Sequence, residues 1–243
     1  MCPTHKNTRM DFYSPGMAAI VMGVGAAIGL GLELLHRQLL LKLTDDGVLD
    51  VMPPHDGQAY RRRQNFLVLA CAAVFLACFW RFGMTPAFAA WCVFGSVMVA
   101  LAVMDWETTI LPDVLTLPLL WTGLLAASAG VSGVDLREAV WGAAAAYCAL
   151  WSIYHAYRLF TGAEGLGYGD FKLFAAIGAW GGLEALAPAA LVASVVATPV
   201  GVWMRRNGDL REEMFIPLGP FLAGGGLLVV LVTPARLMGW MPG

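Results

Sequence analysis

Apolar residues run along this chain in long stretches that short polar segments separate. The stretches occupy approximately 17–35, 65–80, 86–104, 114–130, 139–160, 171–182, 184–204 and 216–234. Most of them are close to the ~20 residues that an α-helix needs to cross ~30 Å of hydrocarbon. The pattern therefore predicts an all-α fold, a polytopic integral membrane helix bundle with about eight transmembrane helices.

One stretch, 171–182, is too short to cross a bilayer. Twelve residues at ~1.5 Å per residue reach only ~18 Å. We expect this segment to be tilted deep within the bundle, to follow a re-entrant segment, or to stop partway across. Short membrane segments interrupted by glycine are tolerated where they are buried in protein or line a wet cavity.

The composition agrees with a membrane protein. Hydrophobic residues make up 59% of the 243 residues and charged residues 13%, with a mean hydropathy of +0.69. Soluble domains average ~25% charged residues. The net charge is −2 and the sequence has no basic tract, so nucleic acid is not an expected partner. The apolar composition makes the lipid bilayer an expected partner. The first stretch resembles a signal peptide but lacks an A-x-A exit and continues into Glu33, so we interpret it as a retained span.

The cysteines do not predict a metal site. None of the five forms a CxxC pair. Cys71, Cys78, Cys92 and Cys148 lie inside apolar stretches, where a free cysteine behaves as a small buried hydrophobe. His55 and Asp56 are two potential ligands in the longest loop, and two ligands do not make a site. We expect no metal and no cofactor.

Lysine and arginine counts predict the orientation of the chain. If the N-terminus faces outward and the spans alternate, ten basic residues lie on the inner side and five on the outer side. Segments 105–113 and 165–170 then both face the cytoplasm. We divide the chain into 1–64, an N-terminal span with a short cytoplasmic loop at 36–64, and 65–243, a transmembrane core.

Charged residues at membrane depth are expensive and point to function. The candidates are Glu33, Asp105, Asp113, Asp170, Lys172 and Glu184. Glu33 can also snorkel to the interface or pair with Arg37 one turn on, and Glu184 is expected in a solvated outer loop.

Asp105 and Asp170 form the more specific pattern, because each lies at the inner end of a predicted helix. Asp170 follows glycines in GLGYGD, at 165–170. It could merely stabilise the start of its helix through the dipole. Two carboxylates within a few ångströms, however, cannot both ionise comfortably and share a proton. The ionised member can then activate a water molecule against a peptide carbonyl, and the protonated member can donate to the carbonyl oxygen.

Three segments resemble the prepilin leader peptidases, a family of GxGD membrane aspartic proteases. They are MDWETTILPDVLTLPLLW at 104–121, TGAEGLGYGDFKLFAAIGAWGG at 161–182 and IPLGPFLAGG at 216–225. The resemblance implies that Asp105 and Asp170 are the catalytic pair, and that Gly167, Gly169, Lys172 and Asp113 support the site. It also implies removal of leader peptides from type IV prepilins or type II secretion pseudopilins, at the cytoplasmic face of the bacterial inner membrane.

The chain differs from the bifunctional members of the family that it resembles. Those members carry paired CxxC motifs in a cytoplasmic domain after the first span and also N-methylate the new terminus. Loop 36–64 is short and contains no cysteine. Zinc is therefore not expected, and methylation is in doubt.

Several alternatives stay open from the sequence. A proton-coupled transporter could use both aspartates, although such proteins favour mid-membrane carboxylates and inverted repeats. A catalytically silent assembly factor could keep the fold. Asp113 could replace Asp105 in the pair, although its position after Pro112 suits a helix N-cap. Lys172 is expected to bind lipid phosphate or an acidic residue of the substrate.

Overall fold

The structure is a computed structural model that describes residues 14–48, 57–162, 165–207 and 217–232. Every regular element in these ranges is a helix, which confirms the all-α prediction. The helices are α1 (Pro15–Asp45), α2 (Gly57–Phe82), α3 (Pro86–Thr108), α4 (Asp113–Ser128), α5 (Leu136–Thr161), α6 (Tyr168–Arg206) and α7 (Gly219–Val232).

Four of these helices, α1, α2, α3 and α6, are long and apolar enough to cross a membrane. Helices α4 and α7 are also apolar but shorter, with 16 and 14 residues. Several apolar helices of this kind identify a membrane protein. The number of about eight spans stays a prediction.

Two predicted helices, 171–182 and 184–204, are parts of the single helix α6. Gly182 interrupts this helix with φ 70° and ψ −174°. A positive φ is strained for most residues and accessible to glycine, which has no Cβ. Helix α6 is therefore divided at Gly182 into a first part, 168–181, and a second part, 183–206. Glu184 is exposed just after the bend, and not in a loop as predicted.

The described residues form two compact units, one ending at Ser96 and the other beginning at Val97, within α3. This division differs from the predicted one at residue 64. Helix α1 continues to Asp45 and α2 begins at Gly57, so the loop predicted at 36–64 is shorter than expected. Residues 49–56, with His55 and Asp56, lie outside the described part of the chain.

In the first unit, α1 packs closely against α2 through two glycines. A Cβ atom on Gly25 would lie 2.8 Å from the carbonyl oxygen of Cys71, and one on Gly29 would lie 2.7 Å from that of Leu67. Small residues four apart let two helix backbones approach in this way. The packing continues along the buried face of α1 to Glu33, one turn further on.

Glu33 forms an ion pair that the sequence did not predict. Its carboxylate accepts hydrogen bonds from Nε and Nη2 of Arg63 in α2, at 2.7 to 3.1 Å. The side chain of Glu33 is 1% exposed and that of Arg63 14%. Pairing with Arg37 and snorkelling to the interface are therefore both wrong, because the α1–α2 contact buries the carboxylate beside Arg63.

In the second unit, the first part of α6 is almost completely buried. On one side, Nε1 of Trp180 donates a hydrogen bond of 2.8 Å to the carbonyl oxygen of Leu119 in α4. On another, Gly178 contacts Gly142 of α5 so closely that a Cβ atom on Gly142 would lie 2.5 Å from the Gly178 carbonyl oxygen. Helix α7 also packs against this part. The short apolar segment is thus buried in protein, one of the arrangements predicted for it.

Candidate active site

Asp105 lies in the last turn of α3 and is 4% exposed. Its Oδ2 accepts a hydrogen bond of 2.9 Å from the backbone N–H of Gly219. Gly219 is the first residue of α7, so the carboxylate of one helix receives an N–H group from the beginning of another. Helix α3 ends at Thr108, and Thr109 follows it in a left-handed conformation with φ 54°.

Asp170 lies in the first turn of α6 and is 7% exposed. Its Oδ2 accepts a hydrogen bond of 3.3 Å from the backbone N–H of Gly167. Its Oδ1 is buried and has no hydrogen-bond partner among the described residues. Oδ2 thus stabilises the start of α6, the role considered above, whereas Oδ1 makes no hydrogen bond within the described residues.

Both aspartates line one cavity of about 280 Å³ in the second unit. Asp105 is near enough to interact electrostatically with Asp170. No other ionisable side chain lines this cavity in the described ranges. The remaining walls are Thr109, residues 165–167, Ala197, Thr198, Pro217 and Leu218. Asp105 and Asp170 therefore lie together, as predicted. The cavity that they line is small and partly polar.

The bend at Gly182 brings both parts of α6 to this cavity. Asp170 and Thr198 are 28 residues apart in the sequence, which would be ~42 Å along a straight helix. A cavity of about 280 Å³ that both residues line excludes that separation. Helix α6 therefore turns back at Gly182, and its second part returns toward the level of Asp170.

Aromatic residues of α5 hold the segment that leads into Asp170. The ring of Tyr157 lies against Gly165, where a Cβ atom would be 2.7 Å from the ring. The hydroxyl group of Tyr168 donates to that of buried Tyr154 at 3.5 Å, and both rings contact Phe171. Because these contacts fix the chain on both sides of Gly167, they position the start of α6.

The two glycines of the motif have different surroundings. Gly167 lines the cavity, and a Cβ atom there would meet nothing closer than Oδ2 of Asp170 at 3.5 Å. A Cβ atom on Gly169 would instead lie 2.6 Å from Cβ of Leu111. Gly167 therefore leaves room beside the carboxylate of Asp170, whereas Gly169 allows α6 to approach the segment before α4.

Asp113 and Lys172 lie outside the residues that line the cavity and contact each other. Nζ of Lys172 is 2.5 Å from Oδ1 of Asp113, and the two side chains are 29% and 56% exposed. This ion pair links the beginning of α4 to the first turn of α6. Asp113 therefore lies outside the cavity, and Asp105 is the carboxyl group that lines the cavity together with Asp170. A contact of Lys172 with lipid or substrate stays a prediction.

Sequence reasoning assigned no role to Gly219, Thr109 or Thr198. The sequence analysis used the segment IPLGPFLAGG at 216–225 only as part of the resemblance. None of its residues has a side chain suited to catalysis. Gly219 acts through its backbone N–H group, for which the sequence has no signal. Across the described ranges, no group of three or more His, Cys, Asp or Glu side chains is arranged to hold a metal ion.

These observations define the class of the protein, a helical membrane protein with two buried aspartates in one cavity. Residues 92–202 match the type IV leader peptidase family. This confirms the resemblance stated from the motifs, and both Asp105 and Asp170 lie within the matched range.

Several curated proteins are similar to the chain. It is 40% identical over 170 residues to a prepilin leader peptidase/N-methyltransferase of Stutzerimonas stutzeri, which covers 70% of this chain and 58% of the relative. It is 44% identical over 179 residues to the protein of that name from Burkholderia pseudomallei, covering 72% and 57%. The one from Pseudomonas aeruginosa is 39% identical over 173 residues, covering 71% and 59%. The chain thus spans a little over half the length of these relatives. No solved structure matches it.

Proposed function

We propose that this protein is a membrane aspartic endopeptidase that removes the leader peptide of type IV prepilins or type II secretion pseudopilins. One observation carries the proposal: Asp105 and Asp170 line the same cavity within the range that matches a leader peptidase family. The names of the similar proteins mention prepilins, and the pseudopilins are implied by the resemblance described above.

The proposed reaction uses a proton shared by the two carboxyl groups. The ionised carboxylate takes a proton from a water molecule whose oxygen attacks the scissile peptide carbonyl. The protonated carboxyl donates its proton to the carbonyl oxygen, which gives a neutral tetrahedral intermediate. The C–N bond then breaks as the first carboxyl returns its proton to the leaving nitrogen, and the second recovers its proton from the intermediate's hydroxyl. The sum is one water added across one peptide bond.

The walls of the cavity suit an extended peptide. Residues 165–167 present backbone beside the carboxylates, with a glycine at each end of this segment, and Thr109 and Thr198 add hydroxyl groups. Glycine lets another chain approach closely. We propose that the residues around the scissile bond lie along this segment.

We place the cavity at the cytoplasmic face of the bacterial inner membrane. Support comes from the distribution of basic residues, ten against five, which puts the ends of α3 and α5 and the start of α6 on the inner side. Leader peptides would reach the aspartates from the cytoplasm before their hydrophobic helix leaves the membrane.

The proposal covers peptide cleavage and not N-methylation, although the similar proteins are named for both activities. The chain lacks the paired CxxC motifs, and its segment between α1 and α2 is short. N-methylation therefore stays in doubt, and the mass of the cleaved product shows whether its N-terminus is modified.

The test is cleavage of a purified prepilin by the purified protein in detergent, followed by electrophoresis and mass spectrometry of the product. Asp105→Asn and Asp170→Asn should each abolish leader removal, because each leaves the dyad without one carboxyl group. The matched control is Asp113→Asn, which removes an exposed carboxylate outside the cavity and should retain cleavage.

Three outcomes would contradict the proposal. If either cavity variant still cleaves the prepilin, the substituted aspartate has no part in the mechanism. If Asp113→Asn loses cleavage and Asp105→Asn keeps it, Asp113 and not Asp105 is the partner of Asp170. No cleavage by folded wild-type protein would favour a transporter or an assembly factor.

A further inference from the structure

The two cavity aspartates are not equivalent in their surroundings. Oδ2 of Asp105 accepts an N–H group at 2.9 Å, whereas Oδ2 of Asp170 accepts one at the longer distance of 3.3 Å. Oδ1 of Asp170 is buried with no hydrogen-bond partner in the described part of the chain. A buried anionic oxygen without a partner is costly, so the surroundings of Asp105 suit a negative charge better than those of Asp170.

The N–H donor to Asp105 has no acceptor within its own helix. Gly219 is the first residue of α7, and the first four N–H groups of an α-helix lack intrahelical partners. Asp105 thus acts as a cap for α7 from another helix, 114 residues earlier in the chain. Asp170 also lies at a helix start, in the first turn of α6, and the partial positive charge there favours an anion in both cases. The difference between the two carboxylates therefore rests on their hydrogen bonds.

The contact leaves no space for a side chain on residue 219. A Cβ atom there would lie 2.8 Å from Oδ2 of Asp105 and 2.9 Å from its carboxyl carbon. Gly219 is itself buried, so neither partner can move into solvent. Any larger residue would displace the carboxylate from its present position in the cavity.

We propose that Gly219 is a positioning residue that holds Asp105 in place as the ionised member of the pair and leaves the shared proton on Asp170. This inference rests on the proposed function. It assigns the roles in that reaction: Asp105 takes the proton from the attacking water, and Asp170 donates its proton to the carbonyl oxygen. Within the described residues, these two carboxyl groups are the only ionisable groups that line the cavity.

The first test compares Gly219→Ala with Gly224→Ala in the same helix. Gly224 is exposed and a Cβ atom there would meet nothing within 4 Å. Because a displacement of ~1 Å at a catalytic group can reduce the rate about 100-fold, we expect kcat to fall by about that factor in Gly219→Ala. KM should stay near the wild-type value, since the lining residues other than Asp105 are unchanged. Gly224→Ala should match wild type in both constants.

Two kinetic results would overturn the inference. One is a folded Gly219→Ala protein with the wild-type kcat. The other is a raised KM with kcat unchanged, because Gly219 would then act in substrate binding instead of positioning Asp105.

A second test does not depend on folding of Gly219→Ala or on cleavage. Infrared spectroscopy detects the carbonyl stretch of a protonated carboxyl group, which an ionised carboxylate lacks. Each Asn variant keeps one carboxyl group of the pair. We expect the protonated band of Asp170, observed in Asp105→Asn, to persist to a higher pH than the protonated band of Asp105, observed in Asp170→Asn. The reverse result would assign the proton to Asp105 and overturn the inference.

The two tests separate this inference from the proposed function. If wild-type protein cuts no prepilin but the infrared bands behave as expected, the proposed function fails and the charge assignment stands. If wild-type protein cuts and the bands behave in reverse, the assignment alone fails.

Discussion

At the scale of single residues, burial distinguishes the acidic side chains that matter most in this chain. Glu33, Asp105 and Asp170 are each less than one-tenth exposed. Glu33 lies in the interior of α1, whereas Asp105 and Asp170 lie at helix ends. Glu33 is neutralised by Arg63, whereas the two aspartates have backbone N–H groups and each other. A buried carboxylate that a guanidinium group already pairs is structural, and a buried carboxylate beside a second one is suited to proton transfer.

We expect Glu33→Gln to destabilise the protein strongly. The change removes the negative charge that pairs with Arg63 in the α1–α2 contact, and removing one partner of a buried ion pair costs about 3–5 kcal/mol. Unfolding of the purified protein by a denaturing detergent measures the loss. The control is Glu184→Gln, an exposed glutamate whose change should alter the free energy of unfolding by less than about 0.5 kcal/mol. Equal effects of the two changes would mean that the ion pair contributes little.

At the scale of elements, glycine determines how closely helices approach and where one of them bends. Gly25 and Gly29 bring α1 against α2, and Gly142 and Gly178 bring α5 against α6. Gly182 bends α6 so that its second part returns to the cavity. The helix-to-helix distances around the aspartates thus depend on residues that have no side chain.

We expect Gly29→Ala to weaken the α1–α2 contact. The added methyl group would lie 2.7 Å from backbone atoms of Leu67 and Val68, which cannot rotate away, so the helices must separate. Overpacking of this kind costs about 1–3 kcal/mol. Gly31→Ala is the matched control, because a Cβ atom there meets nothing within 4 Å. It should be neutral or stabilising by up to ~1 kcal/mol, since alanine favours helix over glycine.

The measurement is again detergent-induced unfolding of the purified variants. A loss of stability with Gly31→Ala as large as that with Gly29→Ala would show that the helix itself, and not its contact with α2, responds to the change.

At the scale of the whole molecule, the orientation in the membrane decides which compartment the cavity faces. Helix α3 has 23 residues, or ~35 Å at the usual rise, and is long enough to cross a bilayer. Met84 precedes it and Thr109 follows it, and both are exposed. The excess of basic residues predicts that the end with Thr109, and with it the cavity, faces the cytoplasm.

Cysteine labelling at the two ends of α3 tests this orientation. In a variant without native cysteines, Met84→Cys should react with a membrane-impermeant maleimide on intact spheroplasts. Thr109→Cys should react only after the inner membrane is permeabilised. The opposite pattern would place the cavity outside the cytoplasm, and cytoplasmic leader peptides could not reach it.

Much of this structure could be predicted from the sequence because it follows from local patterns of residues. Long apolar stretches predict the helices, and the spacing of Asp105 and Asp170 within recognisable segments predicts the pair. Two contacts that the sequence did not predict have one common source. Glu33 and Arg63 are 30 residues apart, and Asp105 and Gly219 are 114 apart. Contacts over such separations depend on which helices become neighbours, and hydropathy does not report that.

By itself, the sequence determined the helical class, the membrane environment and the aspartates suited to chemistry, because these depend on the solubility and charge of individual side chains. Only the tertiary structure decided which aspartate receives the N–H group of Gly219, that Asp113 lies with Lys172 away from the cavity, and that α6 turns back at Gly182. These features depend on backbone groups and on close approach between helices. Such interactions have no counterpart in the polarity of a residue.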